Sequence, residues 1–439
     1  MEKGHNILSS KFTLWIIVSF FITSLSPTFG QNKNLDNTIE VSRLMDSLWL
    51  NPNSFINHDA PNWIRLNQHL ENVDFLQINE IIHSIFFGKN SFMLNKSHAY
   101  EGFIGTLNKS ANEKKIKKYH KKIKKGFRDN QKYPDNKVVL VEGDSWFEYP
   151  IFLKDITDFL VKKPNLAVYS HAHGSDWIAN MISSLQFEYD YIKIKPDVFI
   201  ISGGGNDFLA DYRLSNFLLL KPINKEDKLI VNYKKYVKQR ILSSKENQDS
   251  YLLDTALINQ ITNGRRYLNM NAYRFLASLK IEYKMLFESL RKADTSRFSQ
   301  VKIITQGYDF AIPTFKRKFG SAMLFSNGEW LKEPLMMNGI VDKETQQDII
   351  KTIMFEINEM LIELGKEYDN MYHIDLRGFI SSYEKSNHKR KGFYWHDELH
   401  PKSVVFKEIA DIYYAIIEEK IPEDHKIVEA IYTYEHARK

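Results

Sequence analysis

Cysteine is absent from the 439 residues. Disulfides, thiol nucleophiles, cysteine-held zinc and a lipid-modified N-terminal cysteine are excluded with it, since each needs the sulfur atom. Any covalent nucleophile must be an oxygen or a nitrogen. Glycine and proline are sparse, at 19 and 12, which rules out a collagen-like or Pro/Gly-rich disordered chain. Long apolar runs are lacking too. The run 12–25 is almost wholly apolar, but it makes only about 21 Å of helix against a hydrocarbon core of roughly 30 Å. An excess of one charge is also missing: 60 Lys and Arg stand against 54 Asp and Glu, a net +6. Residues 111–128 alone hold eight lysines, Arg128 and Glu113, a net +8, so the remainder sums to −2. The basicity is local, and net charge by itself identifies no partner.

What remains is ordinary globular composition, 43% hydrophobic and 26% charged. At roughly 150 residues per domain the length allows two or three domains. Lys3 and Lys11 precede the apolar run, and the small residues Thr28 and Gly30 follow it. This is the pattern of a secretory signal peptide over 1–30, cleaved after Gly30, rather than of an uncleaved anchor. The mature chain is then expected to start near Gln31 in a periplasmic or extracellular space.

Residues 31–135 read as helical, with Val41, Leu44, Met45 and Leu48, and later Ile78, Ile81, Ile82 and Ile85, at helical spacing. No catalytic pattern occurs there. Within the basic segment 114–128, Ile116, Tyr119 and Ile123 recur at steps of three and four. Two readings fit: an amphipathic helix offering cations to an anionic surface, or a solvated helix face. Nucleic-acid binding would rest on this segment alone and conflicts with export, so none is expected.

From residue 136 short β-branched runs alternate with helical patterns, which predicts a parallel sheet flanked by helices. Five strands are expected, at 137–141, 166–171, 197–202, 301–305 and 372–375. Between them the apolar stripe of 342–364, with Asp342 as its cap, is the clearest helix. The fold class is α/β, a three-layer α/β/α sandwich. The domain is expected over 136–425, with 211–294 as an insertion or elaborated crossover that forms a lid or a substrate wall, and 426–439 as a tail.

In such a sheet ligands bind beyond the carboxyl ends of the strands. Glu142-Gly143-Asp144-Ser145-Trp146 follows the first strand, His171-Ala172-His173-Gly174-Ser175 the second, and Gly203-Gly204-Gly205-Asn206-Asp207 the third. His396-Asp397-Glu398-Leu399-His400-Pro401 lies near the C-terminus. A serine nucleophile needs a histidine to take its proton and a carboxylate to orient the imidazole. Ser145, His400 and Asp397 are the residues that fit. An oxyanion needs N–H donors, and the Ser145 N–H, the Gly174 N–H and the Asn206 amide are the candidates. A metal reading also exists, through His171 and His173 with His396, Asp397 and His400. It leaves Ser145 and Asn206 without roles, so neither metal nor cofactor is expected.

The four blocks, in this order, resemble the SGNH, or GDSL-type, hydrolase superfamily: Gly143-Asp144-Ser145, then Gly174, then Gly204-Gly205-Asn206-Asp207, then Asp397-Glu398-Leu399-His400. The resemblance spans about 137–421. It implies a flavodoxin-like fold, Ser145 as nucleophile, His400 as base, Asp397 as its orienter, and Ser145, Gly174 and Asn206 as the oxyanion hole. Trp146 departs from the family's usual leucine and sets a bulky ring near the site. Tyr308 and Asp309, after the fourth strand, face the same side, so Trp146, Tyr308 and Asp309 are expected to contact substrate. Asp207 is expected to be structural. The function implied is ester hydrolysis, on an acetylated polysaccharide or a lipid acyl ester. Acyl transfer by the same residues and non-catalytic binding of a polyanion or membrane surface are the alternatives.

Overall fold

The computed structural model describes residues 33–70, 73–87, 102–129, 131–149, 153–210, 212–243, 255–314 and 330–431. The expected signal segment, 1–30, lies outside the described residues. Among those described, no helix is long and apolar enough to cross a membrane.

The strands form where apolar, β-branched runs allow burial on both faces, as a helix-covered parallel sheet demands. They are β1 (Lys137–Gly143), β2 (Leu166–Ser170), β3 (Val198–Ser202), β4 (Lys302–Gln306), β5 (Met371–Asp375) and β6 (Ile427–Glu429). All pair in parallel, in the order β2-β1-β3-β4-β5-β6. The sheet therefore has six strands, not five. The sixth comes from the segment read as a tail, where Ile427, Val428 and Glu429 pair with His373, Ile374 and Asp375. Three residues are too few for alternation or a run to register, which is why the sequence pattern misses β6.

The helices after β1 and β5, Ile156–Leu160 and Ser403–Ile417, pack on each other on one face. On the other face the Met270–Ala293 helix packs against Ile178–Ser184, Gln186–Ile194 and Lys343–Gly365. Asp342 caps the last of these, accepting from Thr345 N–H at 2.8 Å. The Met270–Ala293 helix is buried almost throughout, so this part of the 211–294 stretch is a crossover through the core rather than a lid.

The N-terminal helices share that core. Asn79 Nδ2 donates to the Ala179 carbonyl at 2.8 Å, and Lys280 Nζ to the Ile56 carbonyl at 2.8 Å. Tyr119 is buried in the core, with Ile116 and Ile123 packed against it, and their helix, Gly102–Lys124, lies along β2. Three cations of the basic segment bond to other parts of the fold. Buried Lys115 bonds Glu148 Oε2 at 2.5 Å, Lys122 donates to the Lys163 carbonyl at 2.7 Å, and Arg128 to that of Ile194. Lys114, Lys117, Lys118, Lys121, Lys124 and Lys125 are exposed.

Strand order reverses at β1, whose neighbours are β2 and β3, and the crevice beyond the carboxyl ends of β1 and β3 is where an open α/β sheet binds ligand. Register pairs Gly143 with Ser202, which sets the chain after β1 beside the chain after β3. Gly143 is required for this. A Cβ there would lie 2.8 Å from the Ser202 carbonyl oxygen and 2.5 Å from the Phe147 ring.

Candidate active site

Ser145 sits on a tight turn fixed by Asp144. The Asp144 carbonyl accepts the N–H groups of Phe147 at 3.0 Å and Glu148 at 3.1 Å, and its carboxylate accepts the Trp146 N–H at 3.0 Å. The same buried carboxylate takes the Tyr308 hydroxyl and, at 3.4 Å, that of Ser202. Burial raises its pKa, and these bonds only partly offset the rise. Asp144 thus ties the serine turn to β3 and to the segment after β4.

Ser145 Oγ lies 2.6 Å from His400 Nε2. His400 Nδ1 lies 2.9 and 3.0 Å from the two Asp397 oxygens. A carboxylate only accepts, so Nδ1 carries the hydrogen and Nε2 is left to accept from the serine hydroxyl. Asp397 Oδ1 also takes the backbone N–H groups of Leu399 at 2.9 Å and His400 at 2.8 Å, which locks acid and imidazole into one rigid loop. Burial pushes the Asp397 pKa up, but the His400 charge and these bonds outweigh it and hold the carboxyl below its ordinary value.

Asn206 lies in the first turn of the short helix Gly205–Leu209, reached through Gly204 at φ +94°. Its Nδ2 donates one hydrogen to the Asp176 carbonyl at 3.0 Å, and an amide nitrogen carries two. Asn206 lines the cleft with Ser145 and His400. Gly174 requires a correction. Its N–H donates to Asn108 Oδ1 at 3.2 Å, and its carbonyl accepts from Asn108 Nδ2 at 3.3 Å. This buried glycine amide is clamped by an asparagine of the N-terminal region, so its N–H is already engaged within the fold.

The three residues expected at substrate are all buried. Trp146 packs edge-on to Tyr308 and Phe406, at 5.4 and 5.5 Å between centroids, and fills space beneath the serine turn. The Tyr308 hydroxyl is taken up by Asp144 and by the Gly205 N–H at 3.1 Å. Asp309 accepts the N–H groups of Phe310, Gly378 and Ile380, each at 2.6 Å, and so holds the start of the Phe379–Ser386 helix. All three border the cleft, but the polar groups of Tyr308 and Asp309 are committed within the protein. The space beside Ser145 is narrow, about 10 Å³, which is roughly one water.

The imidazoles of the metal reading go elsewhere. His171 Nε2 lies 2.5 Å from Asp190 Oδ2, and His400 is held between Ser145 and Asp397. His173 is half-buried, and the desolvation lowers its pKa to about 4.

Four residues near the site escape sequence reading. The Trp330 ring stands edge-on to His400 at 5.7 Å, and that of Tyr149 at 4.8 Å. Glu398 is buried beside the pair, and its carboxylate accepts from the N–H groups of Thr314, Leu331 and Lys332 at 2.9 to 3.1 Å. Asn108 is the fourth. The Asp397-x-x-His400 spacing hides Glu398 as filler, and nothing local marks a tryptophan or an asparagine that reaches its target across the fold.

No family model matches the chain, and no curated protein matches it. Solved structures similar to it include a GDSL-like lipase from Parabacteroides merdae, with TM-score 0.34 and 9% identity over 65% of this chain and 96% of that one. An extracellular lipase from Streptomyces rimosus gives TM-score 0.34 and 10% identity over 64% and 99%. Similarity at this level leaves function to be argued from the site itself.

Proposed function

We propose that this chain is an exported serine ester hydrolase of the SGNH type. The reading rests on one observation above all, the chain of bonds from Ser145 Oγ through His400 to Asp397. Ser145 Oγ attacks the ester carbonyl while His400 Nε2 takes its proton. The oxyanion is met by the Ser145 N–H and the second hydrogen of Asn206 Nδ2, donors aimed where charge develops. Collapse breaks the ester C–O bond, and His400 returns the proton to the departing alcohol. Water, deprotonated by His400, then cleaves the acyl-serine to release the acid and restore Ser145. Asp397, held ionised, stabilises the imidazolium that forms twice in each cycle. Serine supplies the nucleophile and the N–H donors supply the electrostatics, so the chemistry calls for no metal or cofactor.

Export is supported by the 1–30 pattern. An acetylated polysaccharide or a lipid acyl ester is the substrate class that suits such a compartment, and the six exposed lysines of 114–125 offer contact with an anionic surface. Hydrolysis of a chain-length series of p-nitrophenyl esters by the chain from Gln31, beside Ser145→Ala and His400→Ala, tests the reading. Turnover lost in both variants supports it, and turnover that survives in Ser145→Ala overturns it.

A further inference from the structure

A second cavity, of about 370 Å³, lies beside the Ser145 cleft and shares Ala311 with it. Its apolar lining comes from the segment after β4, Phe310, Ala311 and Ile312, with Leu257 opposite. Around these stand four lysines from three places in the fold. Lys351 comes from the Lys343–Gly365 helix, Lys385 from the Phe379–Ser386 helix, and Lys389 and Lys391 from the turn that follows. Among the described residues of the lining one carboxylate faces them, that of Glu384. It is buried and turned to the backbone, where it accepts the N–H groups of Gly392 and Tyr394 at 3.0 Å each. Among the described lining residues four lysines against one glutamate leave +3, in a chain that outside 111–128 sums to −2.

Two of the ammonium groups are held by amide oxygens, and Lys351 also interacts with the Asp348 carboxylate. Lys351 Nζ donates to Gln260 Oε1 at 2.5 Å and Lys391 Nζ to Gln347 Oε1 at 2.7 Å, while Lys389 Nζ lies 5.3 Å from the Phe393 ring centre. An amide oxygen fixes a lysine without cancelling its charge. A concave, apolar-walled site rimmed by one sign of charge concentrates anions. By contrast, the space beside Ser145 is narrow, about 10 Å³.

We propose that this cavity is the subsite for an anionic part of the substrate, so that the ester cleaved here carries a carboxylate or phosphate joined to the ester by a short apolar segment. The inference rests on the esterase reading for the reaction, and on the cavity alone for the binding. Two matched pairs of esters test it. p-Nitrophenyl pentanoate against mono-p-nitrophenyl glutarate sets the charge on the acyl side. Monobutanoylglycerol against its phosphate sets it on the alcohol side.

The wild type is expected to favour the anionic member of one pair by roughly tenfold in kcat/KM, the sum of several modest ion pairs. The preference shrinks as salt is raised. In the variant Lys351→Gln/Lys385→Gln/Lys389→Gln/Lys391→Gln the ratio falls to near one. The responding pair tells which side of the ester bears the charge. A wild-type ratio near one in both pairs, or a ratio the variant retains, overturns the proposal. Should no ester turn over, the esterase reading fails instead, and calorimetric titration with glutarate and with glycerol phosphate decides the subsite. Binding lost in the variant upholds it, and no binding to the wild type overturns it. Lys385, Lys389 and Lys391 are exposed, so the triple variant serves if the fourth substitution impairs folding.

Discussion

Two shielded aspartates stand near the carboxyl end of the sheet, Asp397 in the 396–401 loop and Asp207 in the 203–207 turn, and burial acts alike on both yet leaves them in opposite states. Each accepts two backbone N–H groups: Leu399 and His400 for the first, Ile178 at 3.0 Å and Gly204 at 3.1 Å for the second. The difference lies in the neighbours. Burial raises Asp397 as well, but the facing His400 ring, through its charge and its hydrogen bond, together with the backbone bonds, outweighs it and holds the carboxyl below its ordinary value. Asp207 is raised by burial first and by the Glu282 carboxylate next, and Arg213 and His83 recover only part of this, leaving its pKa at about 7. Backbone donors alone do not decide the charge of a buried acid; the nearest charged side chain does. One acid is thereby held ionised beside the imidazole, as the proposed mechanism requires, and the other, with its pKa raised to about 7, braces the Asn206 turn.

That contrast is broken most severely at Asp397. Asp397→Asn leaves the loop its shape but lets the imidazole take the wrong tautomer, so kcat on a p-nitrophenyl ester should fall roughly 10⁴-fold with circular dichroism unchanged. Next comes Asn206→Ala, on the helix that Asp207 braces. It removes one proposed oxyanion donor, and kcat should drop by about 10² to 10³ with KM little altered. Asp207→Asn acts on stability instead. An amide cannot accept from both the Ile178 and Gly204 N–H groups as the carboxylate does, and a buried donor left without its partner costs about 1–3 kcal/mol, read as a lower urea midpoint.

The mildest change is Glu282→Gln, which sharpens the comparison through pH. Burial lifts the Glu282 pKa from its ordinary 4.5 to about 8. Across that window the folded chain holds a proton that the unfolded chain has released, so stability falls as pH rises from 4.5 to 8. Glutamine stays neutral throughout. The loss of urea midpoint between about pH 5 and about pH 8 should therefore be smaller in the variant than in the wild type.

The parts legible in the sequence are those whose signal is local. Strands β1 to β3 each hold a run of four apolar residues and β4 and β5 shorter apolar stretches, the Asp342 cap stands directly before its helix, and the Asp397 to His400 pair is contained in four residues. The turns that bring Ser145 and Asn206 together follow their strands at once, so placing the strands in a parallel sheet places them as well. What sequence reading misses is held by contacts between distant segments. Asn108 reaches Gly174 across 66 positions, and Glu398 reaches Thr314 across 84. Strand β6 is three residues long, and its pairing depends on β5 rather than on its own pattern. Burial is equally hard to read. Tyr308 and Asp309 look like contact residues because they follow a strand, yet their polar groups are committed to Asp144, to Gly205 and to the helix that begins after Gly378. The basic segment misleads in the same way, since net charge does not show that Lys115 lies inside against Glu148.

The central claim is that Ser145 becomes acylated with the help of His400. The direct measurement is mass spectrometry of the protein after exposure to a phosphonate ester that traps activated serines. A single adduct on the peptide containing Ser145, formed by the wild type and absent from His400→Ala, is the predicted result. An adduct that forms equally well in His400→Ala, or none on Ser145 while ester hydrolysis proceeds, would contradict it.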